Sequence, residues 1–396
     1  MKPLLSLMCL FGLLTGCATL APPPRHQSHA WVRFDAERIV ASDTSGMADL
    51  RAMRPLTIDD PVRIASISKL VVVLGVMRLV EEEKLDLDAD VSRWLGWELR
   101  NPAFADQPIT LRLLLSHRSS LKDDIDYPLP LDTTLQTALA EPAAFDMQHR
   151  PGSYFRYANL GFPVVATVME KATGERFDLL MRRLVLDPLG LDACFNWPSC
   201  SDVAVERAVV LRAADGAILR DDLGGEQPPC PVVPGVDGRC DWRAYRPGVN
   251  GALFSPQGGL RISARDLAVV GQLLLNRGRH RGAVFLTEAS IAEMLAPHWR
   301  YDGVNGDTEN GFYCSYGLAV QLLARPGCPD DLLGRRTAFV GHAGEAYGLR
   351  SGLWIEPHGR TGIAYFATGV ADDAPRGRTA YTRIEEWLAA AARRGR

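Results

Sequence analysis

The chain has 396 residues, of which 47% are hydrophobic and 23% charged, so it is a globular protein long enough to bury a sizeable core. Its 44 Lys and Arg residues are balanced by 47 Asp and Glu residues, which gives a formal net charge of -3. This balance excludes the strongly basic field that attracts nucleic acid, and we expect no nucleic-acid partner.

The first residues have the pattern of an export signal. Lys2 supplies a positive charge, residues 4–14 are mainly apolar, and Leu14-Thr15-Gly16-Cys17 ends the stretch. The stretch is shorter than the roughly 20 residues of a membrane-spanning helix, which favours cleavage. Its last four residues resemble the lipobox of bacterial lipoproteins, and this implies lipidation of Cys17. An ordinary signal peptide with an incidental cysteine is the alternative.

The residue after the lipobox bears on location. It is Ala18 rather than Asp, so the resemblance favours a lipid anchor at the periplasmic face of the outer membrane. The proline-containing residues 18–30 predict a tether between membrane and folded domain. We therefore divide the chain into a signal and lipobox (1–17), a tether (18–30) and a folded domain (31–390).

Predicted elements follow in chain order. Residues 31–41 alternate like a strand, and a long helix begins near Ser66 and continues to about Glu83. Thr110 has the position of a cap for a helix over residues 111–116. Asp215-Gly216 predicts a hairpin between residues 209–211 and 217–219.

The C-terminal part predicts helix, strand, strand and helix. The segment from Ser263 to Asp266 has the form of a capping box before an apolar helix. Residues 351–355 and 361–366 predict two strands around a Pro-His-Gly-Arg turn, and residues 381–391 predict the final helix.

The most informative motif is Ser66-Ile67-Ser68-Lys69, at the start of the long helix. At a spacing of three residues both side chains share one helix face, so Lys69 can take the proton of Ser66. The residues that follow are apolar nearly all round, which predicts a buried helix and a desolvated lysine with a lowered pKa. The alternative is a Ser/Lys pair on a solvated helix end.

Two further motifs follow in order. Tyr157-Ala158-Asn159 precedes an apolar helical run over residues 160–170, and Gly341-His342-Ala343-Gly344 follows a short apolar segment. With these three motifs the chain resembles the serine beta-lactamase and penicillin-binding-protein superfamily, in its class C beta-lactamase, D-alanyl-D-alanine carboxypeptidase and esterase branch. The resemblance covers about residues 30–390.

The resemblance implies an α+β fold of the beta-lactamase/transpeptidase type. It implies an antiparallel sheet flanked by helices and built from both chain ends, residues 31–80 and 250–396. A mainly helical insertion, residues 81–249, would complete the domain, with the active site at the junction.

The resemblance also assigns roles in catalysis. Ser66 is the expected nucleophile and forms an acyl-enzyme, while Lys69 and a readily ionised Tyr157 move the protons. Asn159 is expected to hydrogen-bond the substrate or Lys69. The backbone N–H groups of Ser66 and Glu345 form the expected oxyanion hole, with Ala343 and Gly344 keeping their strand close to the acyl group.

His342 departs from the family pattern, because many members have lysine there. We expect this histidine to hydrogen-bond Tyr157, to titrate near neutrality and to hold a substrate carboxylate less well than lysine. Arg350 is the candidate that compensates. His117 is expected to be structural, and Arg118-Ser119-Ser120 follows it where the family often has Thr-Ser-Gly.

Six cysteines remain after Cys9 leaves with the signal and Cys17 takes the lipid. The sequence allows several pairings among them, and pairing between neighbours is the simplest. Short loops closed by disulfides agree with an oxidising compartment. The pairs are Cys194 with Cys200, Cys230 with Cys240, and Cys314 with Cys328. We expect no metal and no cofactor, since neither Cys-x-x-Cys nor His-x3-His spacing occurs.

Three hypotheses for function follow. The first is a serine hydrolase that cleaves small-molecule or peptide ester and amide bonds in the cell envelope. The second is a D,D-carboxypeptidase or weak beta-lactamase. The third is a catalytically idle penicillin-binding-like scaffold, which the complete set of Ser66, Lys69 and Tyr157 disfavours.

Overall fold

The computed structural model describes residues 27–334 and 338–395. The signal, the lipobox with Cys17 and most of the tether therefore lie outside the described residues. No helix within these ranges is long and apolar enough to cross a bilayer.

The chain forms short and long strands interspersed with helices. The strands are β1 (Ser28–Asp35), β2 (Ile39–Ser45), β3 (Met47–Asp49), β4 (Arg54–Pro55), β5 (Val62–Arg63), β6 (Cys194–Phe195), β7 (Leu211–Arg212), β8 (Ile218–Arg220), β9 (Leu260–Ile262), β10 (Arg279–His280), β11 (Ala283–Val284), β12 (Trp299–Arg300), β13 (Ser315–Tyr316), β14 (Gln321–Leu322), β15 (Val340–Ala346), β16 (Leu349–Glu356) and β17 (Thr361–Thr368). The α-helices are α1 (Ile67–Glu81), α2 (Ser92–Leu95), α3 (Leu111–Leu115), α4 (Leu135–Ala138), α5 (Gly161–Thr173), α6 (Phe177–Met181), α7 (Asp187–Leu189), α8 (Asp202–Glu206), α9 (Ala264–Leu275), α10 (Glu288–Leu295) and α11 (Arg383–Arg394).

An eight-stranded antiparallel sheet organises the described chain, in the order β12-β13-β14-β15-β16-β17-β1-β2. Strand β1 pairs with β17 from Ser28 opposite Thr368 to Asp35 opposite Thr361. The N-terminal and C-terminal parts of the chain therefore meet in one sheet, which confirms the predicted α+β class. The division at residues 81–249 stays a prediction.

Helices cover both faces of the sheet. Side chains alternate between the two faces along the central strands, so each face contributes apolar residues to a core. Val32 and Phe366 belong to the core shared with α1 and α9. Trp31, Trp354 and Tyr365 point to the opposite face, where the core includes residues of α11. Helix α1 lies within the first core and is buried along most of its length, which explains its lack of a polar face.

The predicted strand over residues 31–41 is wrong in one respect, because a turn divides it into β1 and β2. The Asp35 carboxylate accepts hydrogen bonds from the backbone N–H groups of Glu37 and Arg38, both at 2.8 Å. This side chain completes a tight turn, which the alternation of apolar residues does not reveal.

Side-chain caps mark the first residues of three predicted helices. Thr110 accepts a hydrogen bond from Leu113 N–H and caps α3 as expected. Ser263 accepts from Asp266 N–H at the start of α9. The last helix begins two residues later than expected, because Thr382 and Glu385 form a reciprocal capping box.

Candidate active site

The nucleophile candidate Ser66 directly precedes α1. Backbone hydrogen bonds hold the segment that leads to it. Strand β5 pairs with β9, and Ile64 N–H donates to Leu260 O at 2.9 Å. The intervening Ala65 has φ +55°, a left-handed conformation that costs energy for a residue with a Cβ. The strained turn directs Ser66 into a cavity of about 1030 Å³.

Lys69 is fully buried, and its amine hydrogen-bonds three acceptors. The Nζ atom lies 3.0 Å from Ser66 Oγ, 2.8 Å from Asn159 Oδ1 and 2.7 Å from the carbonyl of Gln257. Burial lowers the pKa of Lys69 to about 7, while Asp123 opposes the shift. A substantial fraction of the amine is therefore neutral near pH 7 and able to accept the Ser66 proton.

Asn159 is held beside Lys69 by a carboxylate that the sequence reasoning missed. Asp123 accepts hydrogen bonds from Asn159 N–H at 2.8 Å, from its side-chain amide at 3.0 Å and from Leu160 N–H at 2.9 Å. The amide oxygen of Asn159 is thereby turned toward Lys69. Asp123 lies in an ordinary acidic loop, and no spacing signal distinguishes it.

Tyr157 lies at the site, but its expected easy ionisation is wrong. Burial raises the pKa of its phenol above the usual range, and the Ser66 hydroxyl offsets only part of that shift. The Lys69 amine lies over the ring, 4.9 Å from its centroid. Among described residues the Tyr157 hydroxyl has no well-aligned hydrogen-bond partner. The phenol therefore keeps its proton and can donate it to a group at Ser66.

Two aromatic neighbours fix the Tyr157 ring. Tyr313 stacks on it with a centroid distance of 4.9 Å and an interplanar angle of 11°. His117 lies 4.2 Å from the ring on centroids, and its Nδ1 accepts from Ala158 N–H at 3.1 Å. His117 is buried with a pKa well below its usual value, which agrees with a structural role. The following turn forms without glycine, since Ser120 adopts φ +63°.

His342 is buried in β15, and two expectations about it are wrong. Its Nε2 atom lies 2.7 Å from the hydroxyl of Tyr316 instead of bonding Tyr157, whose ring centroid is 6.1 Å away. Burial, with a smaller contribution from Lys69, lowers the pKa of His342 to about 3. The imidazole is therefore neutral at physiological pH and supplies no charge to a substrate carboxylate.

Strand β15 approaches Ser66 closely. A Cβ built on Gly344 would lie 2.5 Å from Ile64 O and 3.2 Å from Ser66 N, so only glycine fits here. Ala343 N–H donates to the Gln321 side chain at 3.0 Å, on the side away from β16. Because N–H directions alternate along a strand, Glu345 N–H points the same way. This geometry suits the expected oxyanion hole.

Arg350 lines the same cavity, but its charge is already paired. Its guanidinium lies 2.7 Å from the Glu345 carboxylate and donates to the carbonyls of Leu349 and Asp372. The compensating role that the sequence suggested for Arg350 is therefore weakened.

The three expected disulfides are all present. Cα–Cα distances are 5.0 Å for Cys194–Cys200, 5.8 Å for Cys230–Cys240 and 6.4 Å for Cys314–Cys328. Cys314 directly follows Tyr313, which lines the cavity, and Cys230 belongs to the cavity wall. Two of the crosslinks thus support the surroundings of Ser66.

Comparison with known proteins agrees with this geometry. The profile of the family described as Beta-lactamase matches residues 27–386. This chain belongs to the beta-lactamase family. Esterase EstB of Burkholderia gladioli is 36% identical over an alignment of 170 residues, which covers 38% of this chain and 42% of EstB. Alignments with the first curated relatives span half of those proteins or less.

Two solved structures share the fold of this beta-lactamase-family chain. EstCE1, described as a hydrolase with promiscuous acyltransferase activity, has a TM-score of 0.65 and 22% identity over 92% of each chain. The D-amino acid amidase from Ochrobactrum anthropi SV3 has a TM-score of 0.65 and 19% identity, over 93% of this chain and 92% of its own. At such identities the likeness shows the fold alone.

Proposed function

We propose that the chain is a serine hydrolase that forms an acyl-enzyme on Ser66 and cleaves ester or amide bonds in the cell envelope. The observation that carries the proposal is the 3.0 Å contact between Ser66 Oγ and a buried Lys69 amine with a pKa of about 7. An amine with an ordinary pKa would be fully protonated and unable to act as a base. The name of the relative EstB, an esterase, supports the same chemistry.

Acylation uses the two proton carriers in sequence. Neutral Lys69 accepts the hydroxyl proton as Ser66 Oγ bonds to the substrate carbonyl carbon. The developing oxyanion accepts hydrogen bonds from the N–H groups of Ser66 and Glu345. Tyr157, which keeps its proton, donates it to the departing oxygen or nitrogen, and the Lys69 ammonium returns a proton to the phenolate. Water then cleaves the acyl-enzyme by the reverse proton movements.

The neutral His342 favours an ester or amide without a carboxylate beside its leaving group. Beta-lactams and peptide C-termini carry such a carboxylate, and the paired Arg350 offers it little charge. The D,D-carboxypeptidase or beta-lactamase hypothesis is accordingly second. The idle scaffold is third, since it gives no reason to bury a lysine beside Ser66 at an energetic cost.

Labelling distinguishes these functions. We expect a fluorophosphonate probe to label the wild type covalently and Ser66→Ala not at all, while fluorescent penicillin labels weakly. A kcat/KM higher for a short-chain p-nitrophenyl ester than for a chromogenic cephalosporin supports the proposal. Strong, Ser66-dependent penicillin labelling with efficient cephalosporin turnover supports the second hypothesis. Absence of labelling and turnover supports the scaffold.

A further inference from the structure

A second charged feature of the cavity lies in β5, three residues before Ser66. Arg63 is only 6% exposed and lines the cavity. In the described chain, no carboxylate lies within the 4.0 Å ion-pairing distance of its guanidinium. Its Nη1 donates to Asn196 Oδ1 at 3.2 Å, and its Nε is buried without a partner.

The neighbours of Arg63 do not neutralise it. Arg261 is also buried, and it forms a 2.6 Å ion pair with Asp221, the carboxylate that would otherwise be available. Burial and the charge of Arg261 lower the pKa of Arg63 to about 10, which still leaves it protonated at pH 7. A buried, unpaired cation is costly, and an anion placed beside it recovers that cost.

A second arginine extends the same positive region. The ring of Tyr347 has the Arg63 guanidinium 5.6 Å from its centroid and the Arg220 guanidinium at 4.7 Å. Arg220 is exposed, also lines the cavity and likewise lacks an ion pair among described residues. The two guanidiniums offer several N–H donors to one planar anion, and the Tyr347 ring contacts both of them.

Strand β15 indicates which part of a substrate this region contacts. Tyr157 is the proposed proton donor to the leaving group, and His342 is the residue of β15 whose ring lies near it. The His342 end of the strand therefore corresponds to the leaving-group side. Glu345, whose N–H is expected to bind the oxyanion, lies three residues further along β15, and Tyr347 lies just beyond the end of the strand. The region formed by Arg63, Arg220 and Tyr347 therefore lies on the acyl side of the reacting carbonyl.

We propose that Arg63, Arg220 and Tyr347 form a subsite for a carboxylate carried on the acyl part of the substrate. The enzyme then prefers hemi-esters of dicarboxylic acids to esters of monocarboxylic acids of equal chain length. This inference rests on the proposed serine hydrolase activity and specifies its substrate class.

A pair of substrates matched in length tests the subsite in the full chain. The pair is mono-p-nitrophenyl adipate and p-nitrophenyl hexanoate, which differ in one terminal carboxylate. We expect the wild type to show a kcat/KM at least about tenfold higher for the adipate, which corresponds to ~1.4 kcal/mol. Ser66→Ala removes both activities if the proposed function is right.

Two variants locate the preference. Arg63→Gln keeps a side chain that can bond Asn196 and should bring the adipate/hexanoate ratio close to one, mainly through KM. Arg220→Gln alters an exposed residue, folds without difficulty and should lower the ratio several-fold. Arg376→Gln removes another exposed arginine of the same cavity and should leave the ratio unchanged. Thermal unfolding shows whether each variant is folded.

The outcomes separate the two proposals. Ser66-dependent hydrolysis of both esters with a wild-type ratio near or below one overturns the subsite and leaves the serine hydrolase intact. A high ratio that neither Arg63→Gln nor Arg220→Gln lowers also overturns it. If Arg63→Gln does not fold, the Arg220→Gln ratio decides. Absence of Ser66-dependent hydrolysis with any ester overturns the proposed function itself.

Discussion

The imidazole of His342 forms a hydrogen bond with the hydroxyl of Tyr316, with 2.7 Å between Nε2 and the hydroxyl oxygen, and both groups are buried. Tyr316 belongs to β13, two strands away from β15 in the sheet. This contact directs the His342 imidazole to Tyr316 instead of Tyr157, and burial keeps the imidazole neutral. Among Lys69, Tyr157 and His342, the group that titrates between pH 6 and 8 is consequently Lys69.

The pH profile of kcat/KM tests this assignment. Because burial lowers the pKa of Lys69 to about 7, we expect activity on a neutral ester to rise with pH through about 7 and then level off. His342 has a pKa of about 3 and should not contribute in this range. The profile of His342→Asn should keep the wild-type midpoint, even if its rate is lower. A midpoint that disappears in His342→Asn would contradict the assignment.

Asp123→Asn should affect both rate and pH dependence. The Asp123 carboxylate raises the pKa of Lys69, so its loss should move the midpoint below the wild-type value. It also holds Asn159, so kcat should fall, by about tenfold for a positioning contact. Asp124→Asn is the matched control, since Asp124 is exposed and pairs with Lys122. Equal effects of both variants would show a general charge effect instead.

The sequence predicts those parts of the site that are local in the chain. Ser66 and Lys69 share one helix turn, so their contact follows from helix geometry alone. The neighbouring cysteine pairs also follow from short separations. Asn159 required the family resemblance, since 90 residues separate it from Lys69.

What the sequence misses depends on long-range packing. Tyr316 contacts His342 only because β13 and β15 enter the same sheet, and Tyr313 reaches Tyr157 through the loop before β13. Asp123 comes from a loop with no motif. The easy ionisation expected of Tyr157 and the near-neutral titration expected of His342 are wrong for a related reason. Burial is the largest cause of both pKa shifts, and the sequence gives no measure of burial at these positions.

Ser66→Ala should abolish turnover and covalent labelling while leaving the thermal midpoint nearly unchanged, because this hydroxyl contributes little packing. Ser68→Ala is the control within the same motif. Ser68 Oγ accepts from Leu260 N–H and donates to Ala65 O, so its loss should lower stability but retain labelling. Turnover of Ser66→Ala within about tenfold of wild type, or ~1.4 kcal/mol of barrier, would disprove the nucleophile.

The lipid anchor is a prediction from the sequence alone. Palmitate labelling in a bacterial host should depend on Cys17, and Cys17→Ser should release the protein from the membrane fraction, since the acyl chains supply the membrane affinity. Cys9→Ser, which alters the signal's other cysteine, should label normally. A wild-type protein that is soluble and unlabelled would refute the anchor and favour an ordinary signal peptide.

The disulfide after Tyr313 should influence catalysis as well as stability. Cys314–Cys328 closes a loop whose first residue follows the ring that stacks on Tyr157. Replacing both cysteines by serine should cost about 3 kcal/mol of unfolding free energy for a loop of ~15 residues. It should also lower kcat several-fold at temperatures where the variant is folded, because the Tyr157 phenol is less firmly oriented. Tyr313→Phe retains the stacked ring and the disulfide, so it should keep a higher kcat than the double serine variant. A double variant with lower stability and unchanged kcat would show that the crosslink does not orient Tyr157.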